Sequence, residues 1–415
     1  MIKLESSLED AVSDYLAVGT ASGVNLRREP YDFYDRLRSQ APVYYSSKHK
    51  LWLVSSYEHV VQALKDERLG METNIDRFDH LNSNRPALRV FISGMKFTDG
   101  AAYQRMRRMF IHAFTPAAVR HLTARIDTIS RELLAETLQR ESFDLLADVA
   151  LRLPLRITGE MLGLPEELIP KFKVWGARFI EIHEPGNKLT AEDWARIDEE
   201  ALECEEVFGR LFADRRARPR DDIMSGLVNA AENGQGLSDR DLIGQCLVLH
   251  IAGYSTTSSL IVNGFINLYK HPDQYDLLRA DPKLAGPAVD ECLRFETSTR
   301  TGGPPRRALA DVTLGGQLIP RGSTVSLMLL AANRDPQAFA EPARFDIRRP
   351  DAARHLAFGG GPRFCAGTHL ARAEAATIYR LLAEEFPRLR LMADVEWLDS
   401  IIRRTPLQVP VAWEN

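Results

Sequence analysis

Cysteine is scarce. The 415-residue chain holds four, Cys204, Cys246, Cys292 and Cys365, scattered and without a C-x-x-C pair. That is too few for a disulfide scaffold or a zinc ribbon, and it fits a reducing cytosol. A basic excess is also missing: 53 Lys and Arg against 57 Asp and Glu leave a formal net charge of −4. Such a balance speaks against a nucleic-acid partner. The N-terminus has no apolar run of signal-peptide type, since Met1 to Leu16 carries Glu5, Glu9, Asp10 and Asp14. A cytoplasmic location is therefore expected. Low-complexity tracts, internal repeats and an obvious linker are lacking too, so one domain over 1–415 is expected.

One long stretch lacks charge. Leu242 to Tyr269 contains no Asp, Glu, Lys or Arg and is long enough to cross a bilayer. It also holds Gln245, His250, Ser255, Thr256, Thr257, Ser258, Ser259, Asn263 and Asn267, which are costly in lipid but manageable among protein partners. A buried helix is the better reading, with no membrane partner. Ser238 followed by Asp241 resembles a capping box, and His271-Pro272 ends the segment. About 32 residues lie between, roughly 48 Å of helix at 1.5 Å per residue. A helix so long, and apolar on most sides, must run through the middle of the molecule.

The remainder reads as mostly α with a small β-rich lobe. A helix is expected near Tyr31 to Ser39, then a strand pair over Pro42-Val-Tyr-Tyr-Ser-Ser and Leu51-Trp-Leu-Val-Ser. From about Tyr57 to Leu284 apolar residues recur at helical spacing, except for Thr73 to Gly100, which reads as a long loop. After Pro304, the run Val312-Thr-Leu-Gly-Gly-Gln-Leu-Ile-Pro-Arg-Gly-Ser-Thr-Val alternates and turns like short antiparallel strands. The β-rich parts are placed at about 40–56, 297–330 and 388–415, and a last long helix at about Thr368 to Glu385.

The segment with the most chemistry in it is Phe358-Gly-Gly-Gly-Pro-Arg-Phe-Cys-Ala-Gly-Thr. It is a glycine-rich loop presenting one cysteine just before a helix, where amides and dipole favour negative charge, so Cys365 is expected to be easily held as thiolate. Gly361 permits a tight turn and Gly367 a close approach to a flat group. Arg363 is placed to pair with a carboxylate. A buried free cysteine in a turn fits the same string; a phosphate loop is discounted because the G-K-[ST] ending is absent.

This string resembles the F-x-x-G-x-x-x-C-x-G signature of cytochrome P450, with Phe358, Gly361, Cys365 and Gly367 in register. The resemblance implies the P450 fold, with the long central helix crossing above a haem b, and Cys365 as its iron ligand. Arg363 then corresponds to a haem-propionate partner and Phe358 to a ring near the sulfur. Glu291-Cys-Leu-Arg294 matches the family's E-x-x-R pair, whose implied role is structural, tying its helix to the meander around Arg344-Phe345. Arg306, rather than Arg307, matches a propionate-binding arginine. Asp99-Gly-Ala-Ala-Tyr-Gln-Arg-Met-Arg-Arg resembles the start of the helix over the haem edge, where Tyr103 replaces a common His and Arg107 sits four residues on. Ala332-Asn-Arg-Asp-Pro336 and Phe345-Asp-Ile-Arg348 also match, and the likeness runs from about Tyr31 to Val411.

Ile251-Ala-Gly-Tyr-Ser-Thr-Thr257 matches the family's A-G-x-[DE]-T segment except at one position. Ala252 and Gly253 are expected at the cofactor, and Ser and Thr side chains bonding back to carbonyls are expected to loosen the helix into a groove. Thr256 corresponds to the threonine that steadies oxygen and its water. Ser255 stands where an Asp or Glu usually feeds protons, and a hydroxyl relays a proton without being a carboxyl reservoir. Three consequences stay open: relay through ordered water, a polar group brought by the substrate, or chemistry less dependent on that acid, such as oxidative coupling, peroxide use or a nitrogen-oxide reaction. Val248, Ile251, Ala252 and Ile401-Ile402, with about Phe78 to Phe97 and Thr297 to Gly303, are the expected pocket. His250 and His183-Glu184 read as surface or core residues, not metal ligands.

The implied activity is insertion of one oxygen atom from O2 into a small organic substrate, of a kind found in catabolism and natural-product tailoring. No flavin or iron–sulfur segment is present, so ferredoxin and its reductase are the expected electron partners, and a monomer is expected. Arg105, Arg108 and Arg363 are expected to offer positive charge to an acidic carrier. The rival of another class is a haem protein that binds a ligand or gas without turnover.

Overall fold

The computed structural model describes residues 7–71, 85–91, 93–183, 189–232 and 237–414. Its axis is a helix over Asp239–Lys270, 32 residues long, which starts on the expected capping box: Ser238 and Asp241 each bond the other's backbone amide. Nearly every residue from Leu242 to Leu268 is buried. The helix can be uncharged there because packing against its neighbours, not water, surrounds it. No helix among the described residues is long and apolar enough to cross a membrane.

Around this axis pack the helices Arg152–Leu162, Ile169–His183, Ala285–Phe295 and Thr368–Glu384. The main core is the set of apolar faces they turn toward it. His250 belongs to that core: its Nδ1 donates to Thr158 Oγ1 at 3.0 Å, while Thr158 donates to the Pro154 carbonyl at 2.7 Å. Burial alone pushes the imidazole down to about 4.

The β-rich part centres on one five-stranded sheet in the order Val43–Ser46, Leu51–Val54, Thr324–Leu327, Arg306–Ala308, Leu69–Gly70. The expected first pair is there, antiparallel, with Val43 opposite Val54. The stretch after Pro304 divides. Val312–Leu314 and Gln317–Ile319 form the expected hairpin, whereas Thr324–Leu327 lies parallel to Leu51–Val54 and antiparallel to Arg306–Ala308. Two-residue strands at Leu69–Gly70 and Phe143–Asp144 had no sequence signal; each exists because a longer strand offers it an edge.

The long loop expected over Thr73 to Gly100 is corrected in part. Residues 72–84 lie outside the described set, but Pro86–Phe91 is a helix and Met95–Phe97 a 3-10 turn. The last helix runs Thr368–Glu384 as expected.

Glu291 and Arg294 form a two-pronged ion pair, at 2.7 and 2.8 Å, with both side chains fully buried. Arg294 also donates to the carbonyls of Asn333, Pro342 and Arg344, and Glu291 accepts from the Asp346 amide and from Arg349. The pair therefore stitches the Ala285–Phe295 helix to the meander preceding the cysteine loop.

Removing one partner of a buried pair strands the other's charge, at a cost of about 3–5 kcal/mol. Arg294→Ala is expected to lose that much in urea unfolding; a loss under about 1 kcal/mol would refute the pair's structural role. For His250, a depressed value means the unfolded chain binds more protons. Its contribution is present above an unfolded value of about 6.5 and is lost as pH falls toward 4. Between those limits the stability gap between wild type and His250→Gln should shrink by about 1.4 kcal/mol per pH unit.

Candidate active site

The cysteine loop is shaped by two left-handed glycines, Gly359 at φ +72° and Gly361 at φ +63°. At Gly361 a Cβ would sit 2.4 Å from the Leu64 carbonyl oxygen, so turn and close approach both require glycine. The Cys365 amide bonds the Phe358 carbonyl at 3.0 Å, closing the loop, and Thr368 Oγ1 bonds the Cys365 carbonyl at 2.9 Å. The sulfur lies deep in the protein yet is accessible, because it faces an internal cavity of about 400 Å³.

That cavity lies between the loop and the central helix. Val248, Ala252, Gly253 and Thr256 line it from the helix side, with Leu249, Thr257 and Leu260, which sequence reasoning missed. Phe358, Arg363, Cys365 and Gly367 line it from below, and Tyr103, Arg107 and Arg306 from the edge. Ser298, Thr299, Gly302 and Gly303 complete the wall where the 297–303 stretch was expected to. Leu370 and Ala371 were not expected, although helical spacing puts them on the face of Gly367.

Three expected pocket residues, Ile251, Ile401 and Ile402, do not line the cavity. Ile251 is buried on the far side of the helix, against Gly176; it is one residue from Ala252 and so about a quarter-turn round. Ile401 packs with the N-terminal core cluster of Tyr15, Phe33 and Tyr34. Ser255 is likewise off the wall: its carbonyl accepts from the hydroxyls of Ser258 and Ser259 at 2.9 and 3.0 Å. Of the expected substrate-loop residues, Phe78 lies outside the described set.

The central helix does not unwind. Thr256 bonds back to the Ala252 carbonyl at 3.0 Å, yet the α-helix is unbroken. Space comes instead from small side chains: Gly253 both lines the cavity and meets the Arg152–Leu162 helix, where a Cβ would lie 2.3 Å from Thr158 Cγ2.

The edge arginines form one connected group. Arg363 pairs with Asp99 at 2.5 Å and lies 4.1 Å from the Tyr103 ring centroid. Arg107 donates to Tyr103 Oη at 3.1 Å and to the Phe364 carbonyl at 2.7 Å. Arg306, buried and bonded to the Leu69 carbonyl, has its guanidinium pushed down to about 10, by burial first and by Arg363 second. Arg307 does not face the cavity. Arg363 turns inward and so is not part of a docking face; Arg105 is half-buried and Arg108 exposed.

The thiolate expectation is also corrected. Burial pushes the Cys365 thiol up, outweighing the Gly367 amide, the Thr368 hydroxyl and the charges of Arg107 and Arg372, which pull it down. The helix start alone does not favour the thiolate; a coordinated metal would, since a ligating thiol is deprotonated outright.

A cysteine facing the cavity, with a cationic edge group and no side chain at Gly253 or Gly367, fits a haem. The family model described as Cytochrome P450 matches residues 182–392, about half the chain. The chain is 33% identical to the cytochrome P450 monooxygenase PikC of Streptomyces venezuelae, across 95% of this chain and 94% of that one. The chain belongs to the cytochrome P450 family. Among solved structures, CalO2 superposes at a TM-score of 0.87 with 30% identity, covering 94% of this chain and 97% of that one. P450BioI, in complex with hexadec-9Z-enoic acid ligated acyl carrier protein, superposes at 0.85 with 31% identity, covering 94% and 99%. This P450 is accordingly a haem-b oxidoreductase of mostly helical fold.

Gly253→Ala tests the packing account. It gains about 1 kcal/mol of helix propensity but overpacks Thr158, at about 1–3 kcal/mol. Net destabilisation is expected in thermal unfolding; a more stable variant would show that the Thr158 contact yields.

Proposed function

We propose that this P450 is a monooxygenase of natural-product tailoring that takes electrons from a separate ferredoxin and reductase. The supporting observation is that Cys365 and Thr256 line one cavity from opposite elements. Haem b, when bound, supplies the iron at which oxygen is activated. Cys365 is the residue that would hold it through Sγ, while Arg107, Arg306, Arg363 and Tyr103 would hold its propionates at the edge. Phe358 shields the sulfur side, with the Arg372 guanidinium 4.8 Å from its ring centroid.

On the helix side, Thr256 and Thr257 both line the reacting space, and Thr256 is the one matched to the family's oxygen-steadying threonine. Its proton is given to the Ala252 carbonyl, which leaves the oxygen free to accept from a water and hold it in place. The neutral lining of Val248, Leu249 and Leu260 excludes bulk water and strengthens that contact. No carboxylate lines the cavity among the described residues, and Ser255 is off its wall. Protons therefore arrive through water ordered by Thr256, or with the substrate. The same observation favours a second reading, in which the enzyme runs oxidative coupling, peroxide-driven or nitrogen-oxide chemistry that needs less acid.

A relative named as a monooxygenase, another named for polyketide biosynthesis, and a neighbour solved in complex with a fatty-acid-ligated acyl carrier protein support a tailoring role. Electrons would enter on the cysteine side, where exposed Arg108 offers charge to an acidic carrier, with rates that fall as salt rises.

Three measurements separate these readings. Thr256→Ala should lower the share of consumed NADH that appears as oxidised product by about tenfold, a change of roughly 1.4 kcal/mol in partitioning, with haem content unchanged. Ser255→Asp should leave that share unaltered, because the position does not face the cavity. If Ser255→Asp instead raises it severalfold, the missing acid limits turnover. Product formed with peroxide as fast as with NADH and carrier would favour the second reading.

A further inference from the structure

We propose that Glu374 is the proton store of this site, giving a proton through cavity water to the oxygen at Thr256 and taking one back from solvent. The proposal rests on the haem-monooxygenase reading and adds the acid that Ser255 does not supply. Glu374 touches no reacting atom; it acts through the water that Thr256 orders, as a positioning residue for the proton.

Four carboxyl groups are buried among the described residues: Glu291, Glu296, Asp335 and Glu374. Three are matched. Glu291 pairs with Arg294, Glu296 with Arg404, and Asp335 accepts from the Tyr57 amide. Glu374 is fully buried, and neither of its carboxyl oxygens has a hydrogen-bond partner. Burial alone pushes its carboxyl well above the usual range, so the group is neutral and carries its proton. An unpartnered buried acid destabilises a fold, and a methionine would fill the same space without polar atoms. Such a group calls for a use beyond packing.

Its position supplies one. Leu370 and Ala371, on the Thr368–Glu384 helix, line the cavity. Glu374 follows them by four and three residues, so it lies about 40° from the first and about 60° from the second, between them on one face. Helical side chains lean toward the N-terminus of their helix and cover the preceding turn. For Glu374 that turn is the cavity wall. The helix is fixed there: Tyr379 Oη donates to the Leu260 carbonyl at 2.8 Å, and Leu260 lines the same cavity with Thr256 and Thr257. The neighbouring arginines of this helix are engaged elsewhere, Arg372 with Asp290 and Arg380 with Asp127 and Glu384.

Oxygen with two electrons and two protons gives hydrogen peroxide; with four of each it gives two waters. The electrons come from NADH through the carrier. The later protons must arrive before peroxide escapes, which a store at the wall secures. The Glu374 O–H bond breaks, its proton passes to a water at Thr256, and that water passes one of its own to the oxygen. The carboxylate left behind has no cation beside it, so it recovers a proton from cavity water.

The test uses the ferric holoenzyme and needs no substrate. Infrared difference spectra between H2O and D2O should show the C=O stretch of a protonated carboxylic acid in wild type, shifted by exchange within minutes. Glu374→Gln and Glu374→Met should lack that band. With NADH, a ferredoxin, its reductase and oxygen as the only acceptor, both variants should raise the ratio of peroxide to water by about tenfold or more. A merely structural role would leave that ratio as in wild type. The proposal is overturned if no band disappears in the variants, if the band does not exchange, or if the ratio is unchanged in a variant that keeps its haem. Haem loss in both variants overturns it too, by making Glu374 a packing residue. A wild-type protein without the thiolate–haem carbon monoxide band would instead overturn the monooxygenase reading itself.

Discussion

The constraint on which the rest depends is that one sulfur and one hydroxyl must face each other across a space that holds a flat cofactor and excludes bulk water. A loop can present the sulfur only if its backbone turns twice in the left-handed region and presses on Leu64, hence Gly359 and Gly361. A helix can present the hydroxyl only if it runs uncharged through the core for most of its length. Everything else fixes the distance between these two elements. Gly253 against Thr158 and Gly94 against Gly244 bring neighbouring backbones to contact, so the central helix has almost no freedom to shift.

Charge follows the same division of labour. Away from the cavity, buried arginines are matched by carboxylates and carbonyls. Arg294 with Glu291 and Arg404 with Glu296 are the clearest cases; in the second, burial pushes Glu296 up, but Arg404, Tyr31 and Arg334 together hold it below the usual carboxylate range. At the cavity edge the balance is different: three arginines share the single carboxylate of Asp99 among the contacts described. Burying cations without matching anions is costly, so such a group makes physical sense when a ligand supplies the anions. Arg306 registers that cost: burial first and Arg363 second push its guanidinium down to about 10.

How much of this was legible in the sequence depends on range. The central helix could be read to within a residue or two at each end, because its cap and its stop are local chemistry. The cysteine loop could be read by resemblance, because every residue in it is constrained by its neighbours in the chain. Partners far apart in sequence could not. Nothing near Leu69 announces a strand; it is one because Arg306–Ala308 presents an edge. Ile401 looked like a pocket residue by position, but the wall there is set by how the Thr299–Arg403 bridge turns, and Ile401 follows it into another cluster. The thiolate expectation failed for a related reason. Dipole and amides are local and visible, whereas the burial that outweighs them comes from the whole fold.

Ser255 shows how a single helical step changes the meaning of a motif. One residue along an α-helix is about 100° of rotation, so a side chain beside Thr256 in sequence does not share its face. An acid at this position would have to deliver protons sideways, through intervening hydroxyls. The hydroxyls next to it lead elsewhere: Ser258 and Ser259 donate to the Ser255 carbonyl, and Ser259 reaches Thr405 Oγ1 at 2.7 Å. Hydroxyls that end on a backbone carbonyl neither store a proton nor pass one to Thr256. In the proposed mechanism the supply of protons depends on water reaching Thr256, and the water content of the cavity depends on how completely a substrate fills it. Substrate fit and proton delivery become one variable: a ligand that fills the apolar wall but leaves a single water at Thr256 is the one this site is built to oxidise.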